Sequence, residues 1–97
     1  MLEKEIEKKI VTYAKSKDFL AYKFASPSNR SVPDRLCIGP TGNIFFIEFK
    51  REGEMPTKLQ EYTFKILRAR GITVAVIDDC DTGKLLIDEM NYLYGII

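Results

Sequence analysis

One apolar segment, ITVAVID at residues 72–78, limits what this chain can fold into more than any other. So continuous a run predicts a β-strand that is buried on both faces, as strands of parallel sheets are. It follows a predicted helix at about residues 58–70, which Gly71 ends. Because a strand reached through a helix usually crosses over into an existing sheet, we expect a sheet that is covered by helices.

Hydrophobic periodicity predicts the remaining elements. They are a helix at 2–16, strands at 19–25, 34–39 and 43–50, and a last short helix within 81–95. A polar loop is expected at 26–31, and PTG makes a hairpin turn between the second and third strands. The order predicts a single α/β domain over residues 1–97, with a mixed central sheet flanked by helices. The hairpin residues expected in the core are Leu36, Ile38, Ile44 and Phe46.

Composition excludes several classes of site. The chain contains no histidine, which rules out Ser-His and Cys-His catalysis and argues against a structural zinc site. Its net charge is +1, so any nucleic-acid-binding patch has to be local. Cys37 and Cys80 stand alone in apolar contexts, which predicts reduced, buried thiols and a cytoplasmic protein. No apolar run approaches the roughly 18 residues of a membrane span.

Three charged residues lie at the open end of the predicted hairpin. Asp34 begins one strand, and Glu48 and Lys50 share one face of the next. Charges on the core side of a strand break the expected pattern, and such violations are expected at functional sites. Two or three carboxylates with a backbone carbonyl suit Mg²⁺ or Mn²⁺ and metal-assisted phosphodiester hydrolysis, in which a lysine offsets transition-state charge. Glu7 or Glu3 of the first helix could complete such a cage.

Each of these residues also has a plain structural explanation. Asp34 could be a strand-start acid after proline, and Glu48 with Lys50 an exposed edge-strand pair. Glu7 could pair with helix neighbours on a solvated face. A capping box with Thr57 would explain Gln60 without any chemistry. The three hairpin charges together favour the catalytic interpretation.

The sequence from Pro33-Asp34, through thirteen further residues, to Glu48-Phe49-Lys50 resembles the signature of PD-(D/E)XK nucleases. More narrowly, the chain resembles the stand-alone virus-type replication-repair nuclease (VRR-NUC) domains of phages and bacteria. The resemblance covers most of the chain, through the stretches EKEIEKKIV, AYKFASPSNRSVPDRL, GNIFFIEFK, MPTKLQ and RARGITVAVID.

The resemblance implies a restriction-endonuclease-like αβββαβ core and a Mg²⁺ or Mn²⁺ cofactor. By position, the implied metal ligands are Glu7, Asp34, Glu48 and the backbone carbonyl of Phe49. The implied catalytic residues are Asp34, Glu48, Lys50 and Gln60. One departure is Ser31, where we expect glycine before Val-Pro-Asp, and a serine fits there if its φ is negative.

Compact members of this family act as homodimers on branched DNA, so the resemblance implies a homodimeric Holliday-junction (four-way junction) resolvase of DNA repair. A less selective nickase or flap nuclease, a non-catalytic DNA-binding module on the same fold, and an α/β protein with incidental acids remain open. The residues expected to contact DNA are Lys23, Arg30, Arg35 and Lys58. An apolar C-terminal cluster around Tyr92 and Tyr94 could be core or dimer interface.

Overall fold

A computed structural model describes residues 1–95 of the chain, with side chains as far as Tyr92. The elements are α1 (Glu3–Ser16), β1 (Leu20–Lys23), β2 (Arg35–Ile38), β3 (Ile44–Phe49), α2 (Lys58–Ala69), β4 (Thr73–Ile77) and α3 (Cys80–Gly95). Their order is the predicted one, although α3 has 16 residues and is not short. No helix in these residues has the length and apolar character needed to cross a membrane. Most of the C-terminal cluster lies outside the described side chains.

Helix α1 forms because its apolar residues recur every three or four positions and so share one face. The buried members of that face are Ile6, Ile10 and Ala14. Just beyond the helix, Asp18 adopts a φ of 65°, in the left-handed region that aspartate tolerates better than most residues. The turn lets the amide of Phe19 donate to the carbonyl of Ala14 at 3.0 Å and directs the chain into β1.

The four strands form one sheet in the order β1-β2-β3-β4. The first three strands are antiparallel neighbours, whereas β4 lies parallel to β3, which confirms the mixed sheet. The β2–β3 turn is closed by the Gly39 amide, which donates to the Asn43 carbonyl at 2.8 Å. Within that turn Gly42 has a φ of 90°, which costs glycine little.

The main hydrophobic core lies between the sheet and helices α1 and α3. The hairpin residues in this core are Cys37, Phe45, Ile47 and Phe49. We expected Leu36, Ile38, Ile44 and Phe46 there, and that prediction is wrong. Successive side chains of a strand point to opposite faces, so the predicted set lies on the other side of the hairpin, where Ile44 is 51% exposed.

That other face of the sheet is covered in part by α2, whose buried residues are Thr63 and Phe64. Arg68 of α2 donates from Nη2 to the carbonyl of Val74 in β4 at 2.6 Å. Helices α2 and α3 both contact β4, in which Val74 and Ile77 are buried while Thr73 is exposed. The predicted burial therefore holds for Val74 and Ile77, whereas Ala75 and Val76 between them are only partly buried.

The two cysteines are free thiols. Cys37 is buried as predicted, and burial raises the pKa of its thiol to about 12, so it stays protonated at neutral pH. Cys80 is only half-buried at the start of α3, which corrects the prediction of a fully buried residue.

Candidate active site

The β2–β3 hairpin brings two carboxylates to the same end of the sheet. Arg35 at the start of β2 pairs with Ile47, so the preceding Asp34 lies opposite the following Glu48. Oδ2 of Asp34 accepts the backbone amide of Phe49 at 2.8 Å, which fixes the carboxyl against the end of β3. The pairing expected from the sequence is the one found.

The Glu48 carboxylate is almost completely enclosed, with 3% of the residue exposed. Its Oε2 accepts a hydrogen bond from Gln60 Nε2 at 3.0 Å and lies 3.4 Å from Lys50 Nζ. Its Oε1 is buried and has no hydrogen-bond partner among the described residues. A buried carboxylate oxygen without a donor is costly to ionise, so this atom calls for a ligand.

Burial raises the pKa values of both carboxyls. Burial, followed by the nearby Asp34 carboxylate, raises the pKa of Glu48 from 4.5 to about 7. Burial also raises the pKa of Asp34, although the hydrogen bond from the Phe49 amide opposes that rise. Perturbed carboxyls that face each other are typical of catalytic and metal-binding sites.

Lys50 and Gln60 reach the same oxygen of Glu48 from different elements. The Lys50 amide donates to the Ile77 carbonyl at 2.9 Å, which continues the parallel ladder and points the lysine into the site. Gln60 lies in the first turn of α2, and its Oε1 accepts the amide of Thr57 at 2.9 Å while its Nε2 donates to Glu48. One side chain therefore makes both the helix cap and the site contact that the sequence left as alternatives.

Two acids of α1 face the carboxylate pair. Glu3 and Glu7 are one helical turn apart, and both are half-buried. Burial, and then the Asp34 carboxylate, raise the pKa of Glu3, and Glu7 contributes to the raised pKa of Asp34. Both helix-borne acids thus lie close enough to the site for their charges to affect it.

Arg35 holds Glu7 in place. Its Nε donates to Glu7 Oε2 at 2.8 Å and its Nη1 donates to the Ala21 carbonyl at 3.0 Å, so one guanidinium joins α1, β1 and β2. Only 14% of the arginine side chain is exposed. The sequence suggested separate roles, with Arg35 on DNA and Glu7 on a metal. Both roles stay predictions, and the structure adds the ion pair between the two residues.

A basic depression of about 440 Å³ lies beside this ion pair. The cations that line it are Lys4, Lys8, Lys15, Lys23 and Arg35. The sequence indicates Lys8 and Lys15 as candidates to line a DNA groove but not Lys4, because one more lysine on a helix gives no signal by itself. Of the other residues predicted to bind DNA, Arg30 is exposed in the loop before β2 and Lys58 is exposed at the start of α2. Lys23 and Arg35 are therefore the two predicted residues that line this depression.

Ser31 is accommodated without strain. The positive φ angles among the described residues belong to Asp18 and three glycines, so the φ of Ser31 is not positive. Its buried hydroxyl hydrogen-bonds with Thr63 Oγ1 of α2 and donates to Asn29 Oδ1. The serine thereby joins the loop before β2 to helix α2.

The oxygen atoms at the hairpin end fit a hard divalent cation, although a complete cage is not assembled. Within residues 1–95, no three Asp, Glu or Cys side chains are close enough to hold an ion between them. Asp34 and Glu48 supply two carboxylates, and the unpaired Oε1 of Glu48 is an oxygen that a cation would satisfy. Glu7 as a third ligand stays a prediction, because its Oε2 is paired with Arg35.

Comparison with known proteins shows the family. No protein-family model matches the sequence. The chain is 43% identical over 84 residues to "Putative nuclease p44" of Acyrthosiphon pisum secondary endosymbiont phage 1, an alignment that covers 87% of this chain and 90% of that protein. A solved structure of a VRR_NUC domain matches with a TM-score of 0.80 and 26% identity over 95% of this chain and 96% of that one. The chain therefore belongs to the virus-type replication-repair nuclease (VRR-NUC) domain family.

Proposed function

We propose that the protein is a Mg²⁺- or Mn²⁺-dependent deoxyribonuclease, an endonuclease that hydrolyses phosphodiester bonds. The observation that carries this proposal is Glu48, a buried carboxylate with one unpaired oxygen that lies opposite Asp34 and beside Lys50. Burial of such a group costs folding free energy, so it calls for a role other than packing. The similarity to a phage protein named as a nuclease supports a catalytic use.

We assign the cation to Asp34, Glu48 and the backbone carbonyl of Phe49. A divalent ion bound there supplies Lewis-acid chemistry, since it polarises a phosphate oxygen and lowers the pKa of water. Both carboxyls have to lose their protons to bind it, although burial raises their pKa values. We therefore expect cation affinity to increase as the pH rises through about 7, the pKa of Glu48.

Lys50 and Gln60 take supporting roles in this proposal. The Lys50 ammonium lies 3.4 Å from Glu48 Oε2. This proximity supports a role in offsetting the charge that grows on a phosphate in the transition state. The Gln60 amide donates to the same oxygen, so it orients the carboxylate with Oε1 left for the cation. The site needs no histidine, in agreement with the composition.

The basic depression beside Arg35 supports DNA as the substrate. Its lysines come from α1 and β1, next to Glu7 and therefore next to the carboxylate pair. The net charge of the chain is only +1, so these lysines form a local excess of positive charge. Lysines around a groove neutralise phosphates and hold a duplex without reading its sequence. We expect binding that weakens with salt and shows little sequence preference.

We further propose that the enzyme is a homodimer selective for four-way junctions. Leu85 and Tyr92 of α3 are 61% and 71% exposed and lie two helical turns apart on one face. Exposed apolar residues of this kind support a contact with a second copy. A two-fold dimer presents two active sites, which suits the two symmetric scissile phosphates of a junction.

Cleavage of a labelled substrate panel tests this function. A four-way junction, a flap, a nicked duplex and an intact duplex are incubated with protein and Mn²⁺, with EDTA added to a parallel series. We expect cleavage that EDTA abolishes and that is fastest on the junction. Equal rates on all four would reject junction selectivity and leave a general nickase, and fastest cleavage of the flap would favour a flap nuclease. DNA binding without cleavage under any condition would favour the non-catalytic module.

A further inference from the structure

A separate concavity of about 690 Å³ lies on the α2 side of the sheet. Phe24 and Phe46 lie in it with their ring centroids 5.2 Å apart. Helix α2 contributes Leu59 and Tyr62, which are 62% and 64% exposed, and residues 27–32 form the opposite wall. Large apolar and aromatic side chains exposed inside a concave surface indicate a binding site, and the volume lies in the range of ligand pockets, about 300–1,000 Å³.

Internal hydrogen bonds hold the loop wall of this cavity. The buried hydroxyl of Ser31 hydrogen-bonds with Thr63 Oγ1 of α2. Asn29 Oδ1 accepts both the amide and the hydroxyl of Ser31, which ties the loop to itself. Arg30 lies between these two anchored residues and is exposed. The cavity is therefore preformed and carries a cation on one side.

The cavity lies next to the proposed active site, because its lining includes close sequence neighbours of the site residues. Phe46 precedes Glu48 by two residues on the same face of β3, which is about 7 Å along a strand. On the other side Leu59 is the neighbour of Gln60, whose amide contacts Glu48. A phosphodiester bound at Glu48 would therefore have the base of an attached nucleotide within reach of Phe46. This proximity to the site favours a part of the substrate as the occupant.

Building on the proposed function, we propose that this cavity binds an unpaired nucleobase next to the scissile phosphate. Phe46 and Tyr62 present aromatic surfaces on which any base can stack, and Arg30 offers a charge to a neighbouring phosphate. A base inside a continuous duplex is already stacked and has to leave the helix before it can enter. The substrates selected are therefore DNAs with an unpaired nucleotide at the cleavage site, as in a flap or a bulge, or junctions whose base pairs open at the branch point when the protein binds.

Binding to a short duplex with a single-nucleotide bulge tests this inference. The bulged position carries 2-aminopurine in one duplex and an abasic site in the other, with EDTA present to prevent cleavage. We expect wild-type protein to bind the base-containing duplex about tenfold more tightly than the abasic one, an effect that base–aromatic stacking can produce. Tyr62→Leu should remove most of that difference, whereas Tyr62→Phe should preserve it.

Tyr22→Leu is the matched control, because Tyr22 is also an exposed tyrosine but lies on β1 and does not line the cavity. It should leave the base preference unchanged. Equal wild-type affinity for the two duplexes would overturn the inference. So would a dimer that Tyr62→Leu, but not Tyr22→Leu, separates into monomers, because a second copy would then fill the cavity. Mn²⁺-dependent cleavage without a base preference would reject only the proposal that the cavity binds a base. A base preference without cleavage would reject only the proposed nuclease activity.

Discussion

At the scale of single residues, the burial of Glu48 opposes the ionisation that the proposed chemistry requires. Its pKa rises from 4.5 to about 7, chiefly through burial and then through the Asp34 carboxylate. Between these pH values the folded protein binds more protons than the unfolded chain. The Glu48 contribution to stability is therefore complete below about pH 4.5 and is lost as the pH rises through 7.

Replacing this carboxylate should change how stability depends on pH. In metal-free buffer, we compare the unfolding free energy of Glu48→Gln with that of wild type at pH 4.5 and at pH 8. The difference is expected to shift in favour of the variant by up to about 3 kcal/mol between these pH values, the equivalent of the change in the Glu48 pKa. Urea unfolding of both proteins at the two pH values measures this gain. A difference between the two proteins that is independent of pH would show that Glu48 titrates normally.

The ion pair between Arg35 and Glu7 should be energetically coupled. The contact is short at 2.8 Å and only partly exposed, so we expect a coupling energy of about 1 kcal/mol from a double-mutant cycle with Arg35→Gln and Glu7→Gln. Urea unfolding supplies the four free energies. A second cycle with Glu3→Gln in place of Glu7→Gln is the control. Coupling no larger than in that control would mean that the pair does not form in solution.

The sequence reveals individual site residues better than their partners. Asp34, Glu48 and Lys50 can be identified because charges on an otherwise apolar hairpin break its alternation. The pairing of Arg35 with Glu7 cannot be identified that way, because it joins residues 28 positions apart and depends on how α1 packs against the sheet. The family resemblance supplied Gln60, but only the fold shows that it caps a helix and contacts Glu48 at once.

At the scale of elements, the start of α2 links helix stability to the site. Thr57 and Gln60 form a reciprocal capping box, and Gln60 also donates to Glu48. Thr57→Ala is expected to lose about 1 kcal/mol of stability with unchanged Mn²⁺ affinity, because only the cap is removed. Gln60→Ala should both destabilise the protein and weaken Mn²⁺ binding, measured by calorimetry. Identical Mn²⁺ affinities for the two variants would contradict the second role.

The elements themselves were predictable, whereas the side of the hairpin that forms the core was not. Periodicity gives the order of helices and strands, and the crossover rule gives the parallel β4. Both faces of the hairpin are apolar, with Leu36 and Phe46 on one side and Phe45 and Ile47 on the other. The alternation of side chains along the strands does not indicate which face packs against two helices. Here α1 and α3 cover the face of Phe45, and α2 only partly covers the other.

At the scale of the whole molecule, the topology assembles the site from several elements. The hairpin supplies Asp34 and Glu48, the crossover helix brings Gln60 to the same sheet end, and α1 adds Glu3 and Glu7 from its edge. Because each contribution depends on the mixed sheet, the site is expected to be lost when the fold is lost. Individual acids can nevertheless be replaced without unfolding the protein, since none belongs to the hydrophobic core.

The proposed homodimer predicts a measurable mass. Sedimentation equilibrium should give twice 11.2 kDa for wild type, and Leu85→Glu should reduce the mass to that of one chain, because it replaces an exposed apolar side chain of the proposed contact with a charge. The neighbouring exposed Lys84 provides the control variant Lys84→Glu, which should remain dimeric. A wild type that stays monomeric at every concentration would reject the dimer and leave the active-site proposal intact.

The most direct test of the central claim is Mn²⁺-dependent cleavage of labelled branched DNA by wild type and by Glu48→Gln, compared at equal concentrations of folded protein. The side chains are nearly equal in size, so the variant removes the charge and retains the packing. We predict cleavage by wild type that EDTA stops, and a rate for Glu48→Gln that is lower by roughly a hundredfold or more. Undiminished cleavage by Glu48→Gln would contradict the assignment of this buried carboxylate as the centre of the active site.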